Sequence, residues 1–177
     1  ARLDAEGQSQ ALVLAAEGWH DDASDIHYER GSVRGYVELH IEQGRILEEF
    51  DEAACVVSGI NGQSRLLVTL TGRADHAGTT PMELRRDSLT AAAEAILATE
   101  KLAREHPGLV ATVGKIEVLP GSSNSIPQVT SFTLDFRHPV DAERVCLLKA
   151  LEDSVRKTTA ARGLELDWQL VQENNAV

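Results

Sequence analysis

The chain has 177 residues, of which 42% are hydrophobic and 4% aromatic, and it carries a formal net charge of −11 at pH 7. This length fits one domain, or one domain with part of another, and the hydrophobic fraction suffices for a core of Leu, Val, Ile and Ala. The acidic balance argues against nucleic acid and anionic membranes as partners, because phosphate groups attract basic surfaces.

The first predicted element is a short helix over residues 9–17, because its apolar residues share one face and Gly18 follows them. This stretch is too short for a secretory signal, and no basic segment precedes it. The next segment, residues 19–32, is polar and contains irregularly spaced potential metal ligands, namely His20, Asp21, Asp22, Asp25 and His27. Their irregular spacing favours a solvated loop over a metal cluster.

Residues 35–44 predict an extended strand with an ionisable face. Apolar and ionisable side chains alternate along it, as Val37, Leu39 and Ile41 against Glu38, His40 and Glu42. In a strand the two sets would point to opposite faces. Two carboxylates beside an imidazole form an anionic site that suits a divalent cation. The alternative is a half-buried strand with a solvated polar face.

The segment that follows predicts a boundary between domains. A short helical turn passes through Ile46 and Leu47, and residues 53–57 form a brief apolar run. Asn61 and Gly62 then supply turn chemistry. We therefore expect a new domain to begin near this point.

Residues 63–172 show a regular order of strands and helices. Strands are predicted at residues 65–71, 110–119, 129–137 and 164–171. With a helix after the first and third strands, the order predicts an α+β, ferredoxin-like β-α-β-β-α-β two-layer sandwich. Its four-stranded antiparallel sheet would carry both helices on one face and leave the other face open.

The two helices of this domain are predicted from caps and apolar stripes. The first begins at Thr80, because Thr80-Pro81-Met82-Glu83 has the pattern of a capping box, and it ends at residues 106–108. Its apolar stripe consists of Leu89, Ala93, Ile96 and Ala103. The second helix is capped by Asp141, ends near Gly163 and has the stripe Val145, Leu148, Leu151 and Val155.

The alternation of side chains on the third strand places Arg137 on the open face of the sheet. The apolar side chains that would face the helices are Phe132, Leu134 and Phe136. Asp135 and Arg137 then point the other way, together with Thr133. A guanidinium there could bind a carboxylate through two N–H groups, or could form an ion pair with Asp135 or another surface acid.

Two loops carry further candidate residues. Asn124 lies between two strands, where its amide could orient a substrate amide or carboxylate, or could serve its own turn. His76 lies in a loop of small residues that leads into a helix. Its ring could hydrogen-bond a developing oxyanion, or could be a loop histidine without such a role.

The cysteines and the lengths of the apolar segments indicate a cytoplasmic protein. Cys55 and Cys146 are far apart and have no metal-binding or redox spacing, so we expect both to be core residues in a reducing compartment. No segment approaches the roughly 20 apolar residues that a membrane span needs.

Four motifs occur in the order typical of one enzyme family. The first two read Glu38-Leu39-His40-Ile41-Glu42-Gln43-Gly44 and Gly72-Arg73-Ala74-Asp75-His76-Ala77-Gly78-Thr79-Thr80-Pro81-Met82, the latter followed by Arg85-Arg86-Asp87. The others read Asn124-Ser125-Ile126-Pro127 and Asp135-Phe136-Arg137. Over residues 35–137 the chain resembles the amidase, hydantoinase and carbamoylase family, whose members include N-carbamoyl-L-amino-acid hydrolases, allantoate amidohydrolases and β-ureidopropionases.

The resemblance implies a dinuclear metallohydrolase with two divalent metal ions, Zn, Mn or Co, in a catalytic domain, and an inserted lid that also forms a homodimer. It implies that His40 binds metal and that Gln43, His76, Asn124 and Arg137 contact the substrate. His76 would stabilise the oxyanion, from its own or the partner subunit, while Asn124 and Arg137 hold the substrate carboxylate. The metal pair would lower the pKa of a bridging water and polarise the ureido carbonyl.

The resemblance also implies a division into domains. Residues 1–60 would belong to the catalytic domain, residues 61–172 to the lid and dimerisation domain, and residues 173–177 to the return into the catalytic domain. One histidine cannot hold two metal ions, so we expect this fragment alone to bind no metal stably and to be inactive. The rest of the metal site would belong to the intact enzyme.

The intact protein would be a cytoplasmic hydrolase of linear C–N bonds, with a small ureido or carbamoyl substrate that carries a carboxylate. The sequence does not choose among N-carbamoyl amino acids, allantoate and ureidopropionate. Two alternatives stay open. One is the lid domain of a metallo-aminopeptidase or aminoacylase, and the other is a non-catalytic dimerisation or binding module.

Overall fold

The computed structural model describes residue 3, residues 7–18 and residues 28–177. The chain divides into two compact units, Ala1–Cys55 and Val56–Val177. Within the described residues no helix is both long and apolar enough to cross a lipid bilayer. The histidines and aspartates of the polar segment, from His20 to His27, lie outside the described residues.

The first unit contains two short helices. The predicted helix is confirmed as α1 (Gln10–Ala16), where the Ser9 side chain accepts a hydrogen bond from the Leu12 N–H at 3.3 Å. The predicted turn through residues 46 and 47 is α2 (Ile46–Glu49). The apolar run at residues 53–57 forms neither a helix nor a strand.

The predicted strand at residues 35–44 is wrong. Residues 33–42 have no regular secondary structure, and their backbone makes no hydrogen bond with another part of the described chain. Val37 and Leu39, expected on a buried face, are both 95% exposed. The reason is that alternation specifies where side chains would point, whereas a strand also requires a neighbouring strand to pair its N–H and C=O groups.

The second unit confirms the ferredoxin-like sandwich. Its elements are β1 (Gly62–Thr71), α3 (Ser88–Glu105), β2 (Val110–Leu119), β3 (Val129–His138), α4 (Asp141–Ala161) and β4 (Glu165–Asn174). The strands form one antiparallel sheet in the order β2-β3-β1-β4. Side chains from β1 and β3 pack against both helices in one hydrophobic core, which includes Leu66, Val68, Leu70, Phe132, Leu134 and Phe136.

Helix α3 begins later than predicted. Residues 82–84 form only a 3₁₀ turn (Met82–Leu84), and the backbone returns to an extended conformation at Arg85. The cap of α3 is Asp87, whose carboxylate accepts hydrogen bonds from the N–H groups of Leu89 and Thr90 at 2.9 and 3.1 Å. The proposed capping box at Thr80 is therefore wrong, because a closer carboxylate caps the helix after the extended residues.

The buried faces of both helices differ from the predicted stripes. On α3 the buried residues are Ser88, Ala91, Ala92, Ala95 and Thr99, while Leu89 and Ala93 are exposed and Ile96 and Ala103 are partly buried. Small side chains let a helix approach a sheet closely, so the alanine face is the one that packs. On α4, Leu151 and Val155 are buried and Leu148 partly so, but Val145 is 54% exposed.

The ends of α4 and β4 also depart from the prediction. Asp141 is the first residue of α4 rather than its cap, and its carboxylate accepts hydrogen bonds from Arg144 and from the Ala176 N–H. The fourth strand extends to Asn174, and its register against β1 shifts between Arg65 and Leu66. Leu170, opposite this shift, is 51% exposed.

Neither cysteine is a core residue, contrary to the prediction. Cys55 and Cys146 are both free and exposed. Cys146 lies on α4 next to the buried Leu147. Successive helical residues are rotated by about 100°, and this rotation turns Cys146 away from the sheet.

Candidate functional site

The open face of the sheet is concave around Arg137. The concavity has a volume of about 930 Å³, and its lining includes Arg65, Asp135 and Arg137 together with the apolar Leu67, Val110 and Val171. Phe136, the neighbour of Arg137, is fully buried on the opposite side of β3. The predicted direction of the Arg137 side chain is thus the observed one.

Asp135 is the centre of a polar cluster on this face. Arg137 donates to its carboxylate from Nε at 2.6 Å and from Nη2 at 2.9 Å. From β1, Arg65 donates through Nε at 3.1 Å and Gln63 through Nε2 at 2.9 Å. The Arg137 hydrogen bonds are the main cause that lowers the pKa of Asp135 from 3.8 to about 2, with burial acting in the opposite direction and with Gln63 and Arg65 assisting.

This cluster decides what Arg137 contacts in the chain. Of the two interpretations of Arg137, the ion pair with Asp135 is the one present, and it raises the pKa of Arg137. Nε and one N–H of Nη2 are engaged, so the N–H groups of Nη1 are without a partner among the described residues. A guanidinium has five N–H donors in one plane, so Arg137 keeps capacity for a second anion.

Backbone hydrogen bonds join the loops of His76 and Asn124. The Ala77 N–H donates to the Asn124 carbonyl at 2.9 Å, and the Ile126 N–H donates to the Asp75 carbonyl at 2.8 Å. His76 and Ser125 form an antiparallel bridge between these contacts. The structure therefore brings together two predicted site residues whose loops are far apart in the sequence.

Each of these loops presents one side-chain donor. The His76 ring accepts the Gly78 N–H at Nδ1, 3.1 Å away, so a neutral ring carries its proton on Nε2. Asn124 accepts from the Ser122 hydroxyl at Oδ1, 2.5 Å away, which leaves its amide NH₂ as donor. Neither the Nε2 of His76 nor the amide nitrogen of Asn124 has a partner among the described residues. Such free donors suit an anionic or carbonyl oxygen.

Arg137 lies at the opposite end of the sheet from this pair. On β3, Val129 is paired with Thr71 and Leu119, the residues after which the His76 and Asn124 loops begin. Arg137 is paired with Gln63 and Val110 at the far end of the same strands. Eight residues along a strand span about 26 Å. The second unit thus unites His76 with Asn124 but not with Arg137.

In the first unit, the predicted metal-binding trio does not form. His40 is exposed, with Nε2 at 2.5 Å from Oε1 of Glu38. The Glu42 carboxylate instead accepts hydrogen bonds from the backbone N–H groups of Ile46 and Leu47 at 2.9 and 3.0 Å, at the start of α2. Gln43, the other candidate here, is exposed and has a positive φ of 59°.

The residues present do not fit a dinuclear metal centre. In residues 7–18 and 28–177, no three side chains of His, Cys, Asp or Glu come together in a group that could hold a metal ion. His40 with Glu38 supplies two donors at most, and each metal ion needs about four. No step of a reaction can therefore be derived through a metal from these residues.

Sequence reasoning missed three residues that organise the site. Gln63 and Arg65 hold Asp135, and this role follows from the register of β1 against β3, which no local pattern reveals. Arg85 holds the His76 loop through two backbone carbonyls. The position of Arg85 in the Arg85-Arg86-Asp87 motif was the one indication of a role, but the motif does not show which atoms Arg85 contacts.

Comparison with known proteins identifies the relatives of this chain. Residues 58–162 match the family model described as the peptidase dimerisation domain. The N-carbamoyl-L-amino acid amidohydrolase of Geobacillus stearothermophilus is 40% identical over 171 residues, covering 96% of this chain and 42% of that protein. The allantoate amidohydrolase of Escherichia coli K12 is 38% identical over 175 residues, covering 98% of this chain and 42% of that protein.

A solved structure shows the same fold. A hydantoinase/carbamoylase family amidase from Burkholderia ambifaria superposes with a TM-score of 0.79 at 34% identity, covering 98% of this chain and 42% of that chain. The chain therefore spans about two fifths of the length of these relatives. Similarity extends over almost the whole chain but over less than half of each relative.

Proposed function

The chain belongs to the peptidase dimerisation domain family, and from this premise we propose that it is part of a metal-dependent amidohydrolase of linear ureido C–N bonds. The substrate class is an N-carbamoyl amino acid, allantoate or ureidopropionate. The relatives named as N-carbamoyl-L-amino-acid amidohydrolases and as an allantoate amidohydrolase support this class. Residues 61–172 are assigned to the lid and dimerisation domain, residues 1–60 to the catalytic domain, and residues 173–177 to the start of the return into the catalytic domain, although β4 continues to Asn174.

The observation that carries the proposal is the pair of free donors on the joined loops of His76 and Asn124. The Nε2–H of His76 is assigned to the oxyanion that forms when water attacks the ureido carbonyl, because a fixed donor stabilises charge that develops in the transition state. The Asn124 amide is assigned to the substrate carboxylate. Arg137 binds the same carboxylate through N–H groups that Asp135 leaves free.

The distance along β3 supports a site shared between subunits. From Val129, beside which both loops begin, to Arg137, β3 spans about 26 Å, which exceeds what a small ureido substrate and two side chains can bridge. If His76, Asn124 and Arg137 act on one substrate, His76 and Asn124 come from one subunit and Arg137 from the other. We therefore assign the active form to a homodimer formed through residues 61–172.

The metal ions and the location of the protein belong to the same proposal. Two divalent ions, Zn, Mn or Co, would use His40 and ligands other than those described here, and Gln43 would lie near the substrate. The relatives' greater length leaves room for such ligands. The 177-residue chain alone would have no hydrolase activity.

The free cysteines fit a reducing cytoplasm.

The experiment uses a protein of the relatives' full length that contains this chain. Release of ammonia or of the free amino acid is measured with N-carbamoyl amino acids, allantoate and ureidopropionate, before and after a chelator. We expect the enzyme to turn over one of these compounds. The chelator should abolish this activity, and addition of Zn, Mn or Co should restore it. Cleavage of peptides or acylated amino acids instead, or no turnover of any ureido compound, would contradict the proposal.

A further inference from the structure

The loop that carries His76 is a single tight turn. The Thr80 N–H donates to the His76 carbonyl at 3.2 Å and closes the turn. Between these residues lies Gly78, whose N–H donates to Nδ1 of the His76 ring. The direction of that N–H fixes which ring nitrogen accepts a hydrogen bond and which carries the proton.

The Arg85 side chain holds this turn through two hydrogen bonds to its backbone carbonyls. Its Nη2 donates to the Ala77 carbonyl at 2.7 Å, and its Nε donates to the Thr80 carbonyl at 3.1 Å. Among the described residues no carboxylate lies within ion-pair distance of Arg85, so both of its side-chain hydrogen bonds go to this loop. Hydrogen bonds from a charged donor are roughly twice as strong as neutral ones.

The two carbonyls that Arg85 holds lie on either side of Gly78. The Ala77 carbonyl belongs to the same peptide unit as the Gly78 N–H, so the plane of that unit is fixed by Arg85 on one edge. The other edge then points its N–H at Nδ1 of His76. A side chain on residue 78 would meet the ring, since a Cβ there would lie 3.2 Å from Cε1 of His76.

We propose that Arg85 is a positioning residue for His76, which it holds in the Nε2–H tautomer by fixing the Ala77–Gly78 peptide. The inference rests on the proposed role of His76 in the reaction. Without the two hydrogen bonds from Arg85, the peptide can rotate and Nδ1 loses its donor. The ring then populates both tautomers and several orientations, and the donor for the oxyanion is no longer preorganised.

The first test reads the tautomer directly and needs no activity. Long-range proton–nitrogen correlation spectra of the 177-residue chain distinguish protonated from unprotonated ring nitrogens, and the His76 signals are identified by their loss in His76→Gln. We expect the neutral ring of wild-type His76 to show an unprotonated Nδ1 and a protonated Nε2. Arg85→Met should give averaged nitrogen signals.

Two further variants serve as controls for the spectra. Arg85→Lys should give an intermediate pattern, because an ammonium group reaches one carbonyl instead of two. Arg86→Met is the matched control, since the Arg86 side chain makes no hydrogen bond to the loop. An amide spectrum that is unaltered outside residues 73–88 and the joined loop 122–127 shows that each variant is folded. A wild-type tautomer pattern in folded Arg85→Met would overturn the inference.

The second test measures kinetics in the full-length enzyme. A misplaced catalytic group can cost roughly 10²-fold, so we expect Arg85→Met to lower kcat by about 10- to 100-fold while KM changes by less than about twofold. Arg86→Met should match the wild type. An unchanged kcat in Arg85→Met, or a change confined to KM, would overturn the positioning role.

His76→Ala separates this inference from the proposed function. If His76→Ala retains full kcat, the proposed role of His76 fails, whatever the spectra of the Arg85 variants show. If His76→Ala loses activity while Arg85→Met keeps the wild-type tautomer and kcat, the inference on Arg85 alone fails.

Discussion

Arg137 and Asp135 face each other across two hydrogen bonds on the open face of β3, Nε to Oδ1 at 2.6 Å and Nη2 to Oδ2 at 2.9 Å. The pair fixes the plane of the guanidinium, since Arg65 and Gln63 hold the carboxylate from the neighbouring strand. A substrate carboxylate would thus meet a guanidinium that is already oriented. In the proposed site, Asp135 would therefore act on the substrate through Arg137.

The first prediction concerns the pH dependence of stability. The pKa of Asp135 is lowered from 3.8 to about 2 in the folded chain. A carboxyl group with a depressed folded-state pKa stabilises the fold above its unfolded pKa, and this contribution is lost as the pH falls toward the folded-state value. With a discount for solvent screening of this partly exposed carboxyl group, the lowering corresponds to about 1 kcal/mol of unfolding free energy at neutral pH.

We therefore expect Asp135→Asn to be about 1 kcal/mol less stable than the wild type at pH 7. The difference should shrink between pH 4 and pH 2, because protonated Asp135 loses the same interaction. Urea unfolding of the 177-residue chain at several pH values measures this difference in unfolding free energy. A difference that stays constant down to pH 2 would show that Asp135 does not hold the guanidinium by charge.

The second prediction concerns carboxylate binding. Arg137→Lys in the full-length enzyme replaces a planar fork with a point charge, so KM should rise about tenfold or more while kcat changes less. Arg65→Lys is the matched control, because Arg65 donates to the same Asp135 from β1 and lines the same concavity but is not assigned to the substrate carboxylate, so its KM should stay near that of the wild type. Steady-state kinetics of both variants and of the wild type measure these values. Equal KM values for Arg137→Lys and the wild type would refute the assignment of Arg137 to the substrate carboxylate.

The third prediction tests the shared site by complementation. His76→Ala and Arg137→Met subunits, each inactive alone, are combined and the mixed dimers are isolated with two affinity tags. If His76 and Arg137 act across the interface, each mixed dimer has one complete site, and we expect about half the wild-type activity. If all groups act within one subunit, no complete site exists and the mixed dimers stay inactive.

The control for this experiment follows from the joined loops. His76 and Asn124 lie on loops connected by the Ala77 N–H and the Asn124 carbonyl, so they act from the same subunit. Mixed dimers of His76→Ala and Asn124→Ala should then remain inactive, because each shared site lacks one of the two donors. Recovery of activity in this combination would contradict the proposed grouping.

The sequence predicts the sheet well where alternation coincides with pairing. On β1 and β3 the apolar residues alternate and also pair with neighbouring strands, and both strands form as predicted. Residues 35–44 alternate equally well, yet no strand pairs with them and none forms. Alternation predicts the direction of side chains, whereas strand formation also depends on a neighbouring strand that can pair with the backbone.

The site was predictable to a lesser degree. The direction of Arg137 follows from the parity of β3, but its contacts depend on the register that places Gln63 beside it. The contact between the His76 and Asn124 loops depends on backbone hydrogen bonds between distant segments. Neither relationship has a local pattern, so the local sequence could name these residues but could not show which of them lie together in the fold.

The fourth prediction concerns the buried Arg144 on α4, whose side chain is 1% exposed. It binds Asp141, Glu173 and the Ser64 hydroxyl, beside the point where Ile60 and Val177 pair through hydrogen bonds of 2.7 and 3.0 Å. Replacement by methionine leaves the Ser64 hydroxyl without this donor and leaves two acids unneutralised.

We expect Arg144→Met to lose about 2 to 3 kcal/mol of unfolding free energy, measured by urea denaturation of the 177-residue chain. Arg156→Met, on the same helix, removes an exposed pair with Glu152. Such a pair contributes less than about 1 kcal/mol. If the two variants lost equal stability, the buried network around Arg144 would not hold the domain together.

The last prediction tests where α3 begins. Asp87 accepts hydrogen bonds from the N–H groups of Leu89 and Thr90, whereas Thr80 makes no side-chain hydrogen bond among the described residues. Loss of an N-cap side chain costs typically about 1 kcal/mol, so Asp87→Ala should lower the unfolding free energy by that amount and Thr80→Ala by much less. Urea unfolding of both variants gives the comparison. A larger loss for Thr80→Ala would mean that the capping box at Thr80 forms in solution and that α3 begins a full turn or more before Ser88.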